Sequence, residues 1–288
     1  MRKLLLQLDS SPHPSVFDRV VAYDGGADDV MSYGGVTADA VRDLVHGCIF
    51  TRGIKDLHNT AIFIGGTDMA EGERLLAAVG KAFFGPFTVS VMLDSNGSNT
   101  TAVAAVTKLL QSTGGAAGQR AVITAGTGPV GLRAAGLLAR AGADVTITSR
   151  RPVAADVLDG LQRRFGGRVS HALMADSGSA ASILEGATML LNAGPAGVRL
   201  VPKEAWAGRG LRVAADLNAV PPLGLEGVEV ADNAAQRDGV TVFGALGVGN
   251  LKMKIHKACI ARLFERNDLV LDAETIAEVA SAIVAPGT

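Results

Sequence analysis

Three glycines at positions 126, 128 and 131 stand between a buried apolar run and an apolar-periodic stretch. In a strand–turn–helix unit with this spacing, Gly126 allows the tight turn, Gly128 lets the backbone approach a pyrophosphate, and Gly131 lets the helix pack closely on the strand. The free N–H groups at the helix N-terminus then face the anion. We predict a dinucleotide site here; a structural turn without a ligand is the alternative. The predicted binding residues are Gly126, Thr127, Gly128, Pro129, Val130 and Gly131.

The end of the next predicted strand indicates which dinucleotide is bound. An NAD-binding unit carries Asp or Glu about 20 residues after the glycines, for the ribose 2′-hydroxyl. This chain has Ser149, Arg150 and Arg151 there instead. Guanidinium groups suit a phosphate dianion by charge and by paired N–H donors, and the missing carboxylate removes a repulsion. The pattern therefore predicts NADP, with NAD as a secondary cofactor left open. Two solvated arginines at the start of a helix are the alternative.

A second candidate site is the polar turn Asp94-Ser-Asn-Gly-Ser-Asn-Thr-Thr101, which follows a predicted strand. One interpretation is a well-capped helix with Ser or Asn as the cap. The other is that one group caps the helix while the others grip a polar heterocycle. The candidate binding residues of this turn are Asp94, Asn96, Ser98, Asn99 and Thr100.

Near the C-terminus, Lys252 and His256 are spaced four residues apart in a predicted helix, so they share one face. If that face lines a binding site, it provides a cation and an imidazole beside a substrate. A solvated basic helix is the alternative. The other histidines have no convincing partner in the sequence, and we predict structural or surface positions for them. They are His13, His46, His58 and His171.

The composition excludes several classes of protein. The chain has 288 residues, of which 48% are hydrophobic, and this is enough for two domains, each with its own hydrophobic core. The formal net charge of −1 gives no indication of an extended basic surface for binding nucleic acid or a membrane. No apolar segment approaches the length of a membrane span. Cys48 and Cys259 lack metal-ligand spacing, so we predict two buried thiols and no metal site. We expect a cytoplasmic protein with no nucleic-acid or membrane partner.

Strand and helix patterns alternate along nearly the whole chain. This alternation predicts an α/β protein of two domains, each with a parallel sheet covered by helices. Residues 1–112 form the predicted substrate domain, to which C-terminal helices over 248–288 return. Residues 113–247 form the predicted Rossmann-type domain for the dinucleotide.

Local signals place the helix starts and the strand ends. We expect helix caps at Ser15, Thr37 and Thr67, and a helical pattern from Gly247 to the C-terminus. Ligands of such folds bind at the carboxyl ends of strands, so the expected active site is the cleft between the two domains. Two segments at strand ends of the second domain are expected to border the nicotinamide or adenine side of the dinucleotide, residues 192–197 and 216–218. Within them, the predicted binding residues are Ala193, Gly194 and Asn218.

Several longer segments are similar to one known family. They are residues 14–18, 23–27, 60–66, 83–87, 93–101, 125–131, 243–247 and 251–256. The chain resembles the methylenetetrahydromethanopterin/methylenetetrahydrofolate dehydrogenases of one-carbon metabolism in methylotrophic bacteria and planctomycetes. The resemblance covers essentially the whole chain, and the polar turn and the C-terminal motif are far more specific than the glycine triplet.

The resemblance implies hydride transfer from methylene-tetrahydromethanopterin to NADP, giving the methenyl form, in a homo-oligomer. Methylene-tetrahydrofolate is left open as a further substrate. The reduced pterin is expected between the domains, near Phe17, Asp94, Lys252 and His256, with Asp18 as a further contact. Two alternatives stay open: an NADP-dependent dehydrogenase of the shikimate or amino-acid type, and a non-catalytic NADP sensor.

Overall fold

The computed structural model describes residues 1–285, which divide into two compact units. Unit 1 contains Met1–Thr100 and the chain from Met253 onward, and unit 2 contains Thr101–Lys252. The helices that carry these boundaries are α4 (Ser98–Thr113) and α8 (Ala245–Arg262). The predicted boundaries, 112/113 and 247/248, fall within the same two helices, roughly three turns and roughly one and a half turns from the observed ones.

Unit 1 is built on a sheet of five parallel strands. The strands are β1 (Leu4–Asp9), β2 (Asp29–Tyr33), β3 (Thr60–Gly65), β4 (Ser90–Leu93) and β12 (Val270–Leu271). Its complete helices are α1 (Val16–Asp24), α2 (Val41–Ile49), α3 (Met69–Ala82) and α9 (Ala273–Val284). The strand order is β12-β4-β3-β1-β2, so the direction of winding changes between β1 and β3. Open parallel sheets bind ligands at the carboxyl edge beside such a switch point.

The central strands of unit 1 are buried on both faces. On one face, Leu6 and Ile62 pack in a cluster with Val45 of α2 and Leu75 of α3. Every residue of β3 is buried, which explains why its sequence is a continuous apolar run and not an alternation. The sheet therefore supplies a rigid base for the loops at its carboxyl edge.

The structure confirms one predicted helix cap and corrects two. Ser15 caps α1, and its hydroxyl accepts the backbone N–H of Asp18 at 3.1 Å. The cap of α3 is Asp68, not Thr67, because the Asp68 carboxylate accepts two free N–H groups of the first turn. Thr37 does not cap α2 either. Its carbonyl accepts the N–H of Ala40 in a preceding turn, and Ala40 occupies the cap position without a side-chain hydrogen bond.

Unit 2 has a sheet of seven strands with helices between them. The strands are β5 (Arg120–Thr124), β6 (Asp144–Ser149), β7 (Arg168–Leu173), β8 (Met189–Asn192), β9 (Val213–Asp216), β10 (Asn233–Arg237) and β11 (Val240–Phe243). The helices within the unit are α5 (Pro129–Arg140), α6 (Ala155–Phe165) and α7 (Ala180–Ile183). The strand order β10-β11-β9-β8-β5-β6-β7 places the switch point between β5 and β8. The predicted α/β class is confirmed.

The prediction of a purely parallel sheet is wrong at one edge of unit 2. Strands β10 and β11 pair antiparallel as a hairpin. Its two turn residues, Asp238 and Gly239, both have positive φ angles, 49° and 80°. An Asp-Gly pair in this conformation matches the right-handed twist of the flanking strands, so the chain reverses in two residues without a crossover helix.

The C-terminal region is also less uniform than predicted. Helix α8 ends at Arg262, and β12 then pairs with β4 before α9 begins at Ala273. The last three residues of the predicted helical pattern lie outside the described residues. Among the helices of residues 1–285, none has the length and apolar character needed to cross a membrane.

Candidate active site

The glycine turn of unit 2 joins β5 to α5, as the sequence predicts. A Cβ atom on Gly126 would lie 2.7 Å from Ile147 Cβ, and one on Gly131 would lie 2.6 Å from the Gly126 backbone. Both glycines are therefore required by close packing of strand, turn and helix. The left-handed residue of the turn is Ala125, with φ 50°, so Gly126 serves close approach and not backbone reversal.

Gly128 differs from its neighbours because open space surrounds it. A Cβ atom there would have no protein atom within 4 Å, and the φ of −74° suits any L-residue. Gly128 is the cap residue of α5 and has no side chain with which to bond the free N–H groups of the first turn, and Pro129 follows as the first helical residue. These donors and this space fit the pyrophosphate of a dinucleotide.

Two cavities flank the turn. One of about 500 Å³ is lined by Thr127, Ser149, Arg150 and Arg151, and another of about 210 Å³ shares Thr127, Ser149 and Arg150 with it. Both arginines are exposed, and neither forms an ion pair with a carboxylate among residues 1–285. Their positive charge is thus available to an anion in the cavity, and the surroundings suit a 2′-phosphate.

His171 was predicted to be a structural or surface residue, but the structure gives it a partner in this cavity wall. His171 Nε2 lies 2.8 Å from Ser149 Oγ. In the parallel register of β6 and β7, His171 is opposite Ile147, two residues before Ser149 on the same face. Sequence reasoning missed this pair because it depends on which strands are neighbours and in which register.

A buried hydrogen-bond network closes the carboxyl edge of unit 2 beside the switch point. Thr124 Oγ1 donates to Asn192 Oδ1 at 2.7 Å, and Asn192 Nδ2 donates to Asp216 Oδ1 at 2.7 Å. The Asp216 carboxylate also accepts the N–H groups of Asn218 and Leu225, at 3.0 and 2.8 Å. The ends of three strands and the loop after β9 are therefore fixed relative to one another.

This network holds the loop residues that were predicted to border the dinucleotide. Ala193 N–H donates to the Thr124 carbonyl, and Gly194 N–H reaches Asn192 Oδ1 at 3.3 Å. Asn218 donates from its side chain to the Pro222 carbonyl at 3.2 Å. Asn192 and Asp216 begin the two segments that were expected to border the dinucleotide, but the sequence assigned no role to their side chains. The available signal was a polar residue with a short side chain at the end of each buried apolar run.

In unit 1, the structure brings together Asp94, Thr100 and His256. Thr100 donates to Asp94 twice, from its backbone N–H to Oδ1 at 2.9 Å and from its hydroxyl to Oδ2 at 2.6 Å. His256 Nδ1 lies 4.0 Å from Asp94 Oδ2, and all three side chains are fully buried. Because Thr100 is the third residue of α4, the carboxylate caps that helix, a role the sequence analysis gave to Ser or Asn.

Two aromatic rings flank His256. The Phe63 ring stacks on the imidazole with centroids 5.5 Å apart, and the Phe17 ring lies tilted at 6.5 Å. Phe63 is buried in β3, whereas Phe17 is half exposed on α1. The predicted site residue Phe17 is thus an accessible apolar surface close to the buried polar group. Phe63 was not predicted as a site residue, since nothing local distinguishes it from a core residue.

The other polar side chains of the turn mainly build the turn itself. Ser98 Oγ donates to the Ser95 carbonyl at 2.8 Å, and Asn99 Nδ2 donates to the Leu93 carbonyl at 2.6 Å, both fully buried. Asn96 is exposed and has a left-handed φ of 55°. Of the predicted binding residues in this turn, Asn96 is therefore the one whose side chain is presented to solvent.

Two predicted site residues remain, Lys252 and Asp18. Lys252 is 91% buried and stands one turn before His256 on α8, so the two share a helix face as predicted. Asp18 follows Phe17 on α1, and its Oδ2 would be 3.6 Å from a Cβ atom on Gly65, at the carboxyl end of β3. Asp18 therefore lies at the switch point of unit 1.

The chain is similar to several known proteins. A family model described as the N-terminal part of methylene-tetrahydromethanopterin dehydrogenase matches residues 16–96. The chain is 50% identical over 282 residues to the Bifunctional protein MdtA of Methylorubrum extorquens, covering 97% of this chain and 98% of that one. It is 33% identical over 285 residues to the NAD(P)-dependent methylenetetrahydromethanopterin dehydrogenase of the same organism, covering 94% and 95%.

The chain belongs to the methylenetetrahydromethanopterin dehydrogenase family. The expected family is thus confirmed, and both relatives extend over both units. Solved structures with lower identity share the fold. A shikimate 5-dehydrogenase from Listeria monocytogenes has a TM-score of 0.58 at 12% identity, covering 96% of each chain. An ornithine carbamoyltransferase from Thermus thermophilus has a TM-score of 0.60 at 17% identity, covering 91% and 86%. At these identities the likeness establishes the fold alone.

Proposed function

We propose that this member of the family catalyses reversible hydride transfer between methylene-tetrahydromethanopterin and NADP. The observation that carries the proposal is 33% identity, over nearly the whole chain, to a protein named for this reaction. The site geometry supports it, because one unit offers a dinucleotide site and the other a buried polar group beside an exposed aromatic ring.

For the cofactor, we propose that the first-turn N–H groups of α5 and the open face of Gly128 hold the pyrophosphate. Ser149, Arg150 and Arg151 hold the 2′-phosphate, since two guanidinium groups with no carboxylate partner within residues 1–285 favour a dianion over a neutral hydroxyl. Bound NADP supplies a hydride acceptor at its nicotinamide ring. NAD remains a secondary cofactor in this proposal, because the site contains nothing that repels a 2′-hydroxyl.

For the substrate, we propose that Phe17 presses against the reduced pterin or its imidazolidine ring, next to Asp18 and Asn96. Loss of a hydride from a carbon between two nitrogens leaves an amidinium-like cation. No proton leaves that carbon, so the chain needs no general base. The side chains must mainly position the donor carbon within about 3–3.5 Å of its acceptor.

Two buried charged residues, Asp94 and Lys252, determine the electrostatic environment of the substrate in this proposal. The Asp94 carboxylate, held by Thr100, adds negative charge that favours the forming cation. A protonated lysine beside that cation would be unfavourable, so Lys252 binds a carbonyl or carboxylate of the substrate. His256 holds Lys252 or the substrate in place from the next turn of α8.

We also propose a homo-oligomer that works in the cytoplasm. Three apolar side chains of α1, Val16, Val20 and Tyr23, are exposed on one face of that helix at positions i, i+4 and i+7. Exposed apolar stripes of this kind are usually covered by a partner. Sedimentation equilibrium with Val20→Asp tests the proposal, and a monomeric wild-type protein would contradict it.

The experiment that tests the reaction is steady-state kinetics with two methylene carriers crossed against two cofactors. The carriers are methylene-tetrahydromethanopterin and methylene-tetrahydrofolate, and the cofactors are NADP and NAD. We expect the highest kcat/KM with methylene-tetrahydromethanopterin and NADP. Turnover of shikimate-type substrates without turnover of either carrier would refute the proposal, as would NADP binding without any turnover.

A further inference from the structure

His171 contacts Ser149, a residue of the cofactor cavity wall, although the proposed function assigns His171 no role. It stands on β7, next to the strand that ends in Ser149, and is half buried. Its Nε2 atom is 2.8 Å from Ser149 Oγ, well within hydrogen-bond distance. Ser149 lines both cavities beside the glycine turn. A change at His171 therefore reaches the proposed 2′-phosphate position through one hydroxyl group.

The direction of the hydrogen bonds follows from counting protons. A serine hydroxyl has one proton to donate and lone pairs to accept with. The Ser149 hydroxyl donates to the carbonyl oxygen of Arg151, which can only accept. Its proton is therefore committed to the Arg151 side, and the bond with His171 must run from an Nε2–H donor to the Ser149 oxygen. This assignment requires a proton on Nε2 of His171.

We propose that His171 is a positioning residue for the NADP 2′-phosphate, acting through Ser149, an inference that rests on the proposed NADP function. Because Nε2–H occupies a lone pair of the Ser149 oxygen, the hydroxyl proton is kept on the cavity side. When a phosphate oxygen arrives, the proton turns to it from the Arg151 carbonyl. Arg151 is exposed, so water satisfies the released carbonyl. Hydrogen bonds in such a chain also strengthen one another.

The same geometry predicts selectivity between the cofactors. A 2′-phosphate only accepts hydrogen bonds from Ser149, so it depends on the direction that His171 imposes. A ribose 2′-hydroxyl can donate to a Ser149 lone pair as well as accept, and it therefore depends little on His171. Loss of the Nε2–H donor should weaken NADP binding and leave NAD binding nearly unchanged.

The test measures dissociation constants by isothermal titration calorimetry, without turnover. His171→Phe keeps a ring of similar shape without a donor, and His171→Leu is a second donor-free variant should the first not fold. His171→Gln places an amide N–H near the position of Nε2. We expect the Kd for NADP to rise about five-fold in the donor-free variants and to recover to within about two-fold in His171→Gln. The Kd for NAD should change by less than about two-fold.

A double-mutant cycle separates positioning from a general structural effect. Ser149→Ala should raise the Kd for NADP by about ten-fold, and adding His171→Phe to it should have little further effect. His58→Phe removes another half-buried histidine, one bonded to the Lys55 carbonyl in unit 1, and should leave the Kd for NADP unchanged.

Two results would overturn the inference alone. One is normal NADP binding by folded His171→Phe or His171→Leu, and the other is an equal loss of NADP and NAD affinity. Arg150→Ala distinguishes these from failure of the proposed function. If the wild type binds NADP and Arg150→Ala raises the Kd for NADP, the cofactor assignment stands, regardless of the result for the His171 variants. If the wild type binds neither dinucleotide, the proposed function itself fails.

Discussion

Two alanine substitutions in one turn should separate folding from cofactor binding. At Gly128, an added Cβ has no protein atom within 4 Å, and the backbone angles of −74° and 168° suit alanine. The free energy of unfolding should change by less than about 1 kcal/mol. The proposed pyrophosphate passes over this residue, however, so the methyl group would occupy its space. We expect the Kd for NADP to rise at least ten-fold, which corresponds to about 1.4 kcal/mol.

Gly131→Ala should instead lower the free energy of unfolding. Its Cβ would lie 2.6 Å from the Gly126 Cα and carbonyl oxygen, well inside ordinary van der Waals contact, and those atoms are backbone. Helix α5 must then move away from the turn by a large part of an ångström. Overpacking of this kind costs about 1–3 kcal/mol. For a unit of this size, the melting temperature should fall by roughly 2–12 °C.

The assay combines differential scanning calorimetry with titration of NADP for both variants. Gly160→Ala is a matched control in helix α6, where the flexible guanidinium end of Arg163 lies 3.9 Å from the added Cβ atom. It should be neutral or stabilising, by up to about 1 kcal/mol, with normal NADP binding. The reasoning is refuted if Gly128→Ala binds NADP like the wild type, or if Gly131→Ala melts at the wild-type temperature.

Further predictions concern charge, substrate contact and the thiols. Arg150→Asp should raise the KM for NADP at least ten-fold more than the KM for NAD, because it replaces attraction of the 2′-phosphate by repulsion; equal effects in kinetics with both cofactors would remove the 2′-phosphate assignment. Lys252→Ala should lower kcat/KM for the pterin by roughly 10- to 100-fold with an unchanged Kd for NADP, and unchanged turnover would exclude Lys252 from the site. Burial raises the pKa of Cys48 and of Cys259 from 9.0 to about 12, so a disulfide reagent at pH 8 should modify neither thiol in the native protein and both in denaturant. Because the folded state keeps these protons longer than the unfolded chain, stability should decline as the pH rises above 9 towards 12, and a flat denaturation midpoint across that range would contradict the burial effect.

Local chemistry made much of the fold predictable. The cap at Ser15 and the strand–turn–helix unit around the glycines depend on residues within a few positions of each other. Where two good caps are adjacent, as at Thr67 and Asp68, sequence cannot rank them; the structure selects the carboxylate. The hairpin at Asp238 and Gly239 had a readable Asp-Gly signal, which the dominant alternation of strands and helices concealed.

The candidate site was only partly predictable. The sequence identified Asp94 and His256 as chemically unusual, but their 4.0 Å separation depends on α8 packing in unit 1. Phe63 joins them because β3 lies beside that helix, and its own sequence context is that of any core strand. The polar turn was expected to offer several binding groups. In the structure, the buried side chains of Ser98 and Asn99 donate hydrogen bonds to backbone carbonyls of the turn instead. Buried polar groups need such partners.

The amino-acid sequence by itself determined the α/β class, the dinucleotide turn and the family. These follow from periodicity, glycine spacing and motifs, all of which are properties of contiguous residues. Only the tertiary structure decided that Gly131 is needed for packing while Gly128 faces open space, and that His171 meets Ser149. Those facts depend on strand register and on the distance between elements. They are decided only when segments that are distant in sequence pack together and bury their apolar surfaces. The sequence of one segment does not show which residues of another segment its side chains will contact.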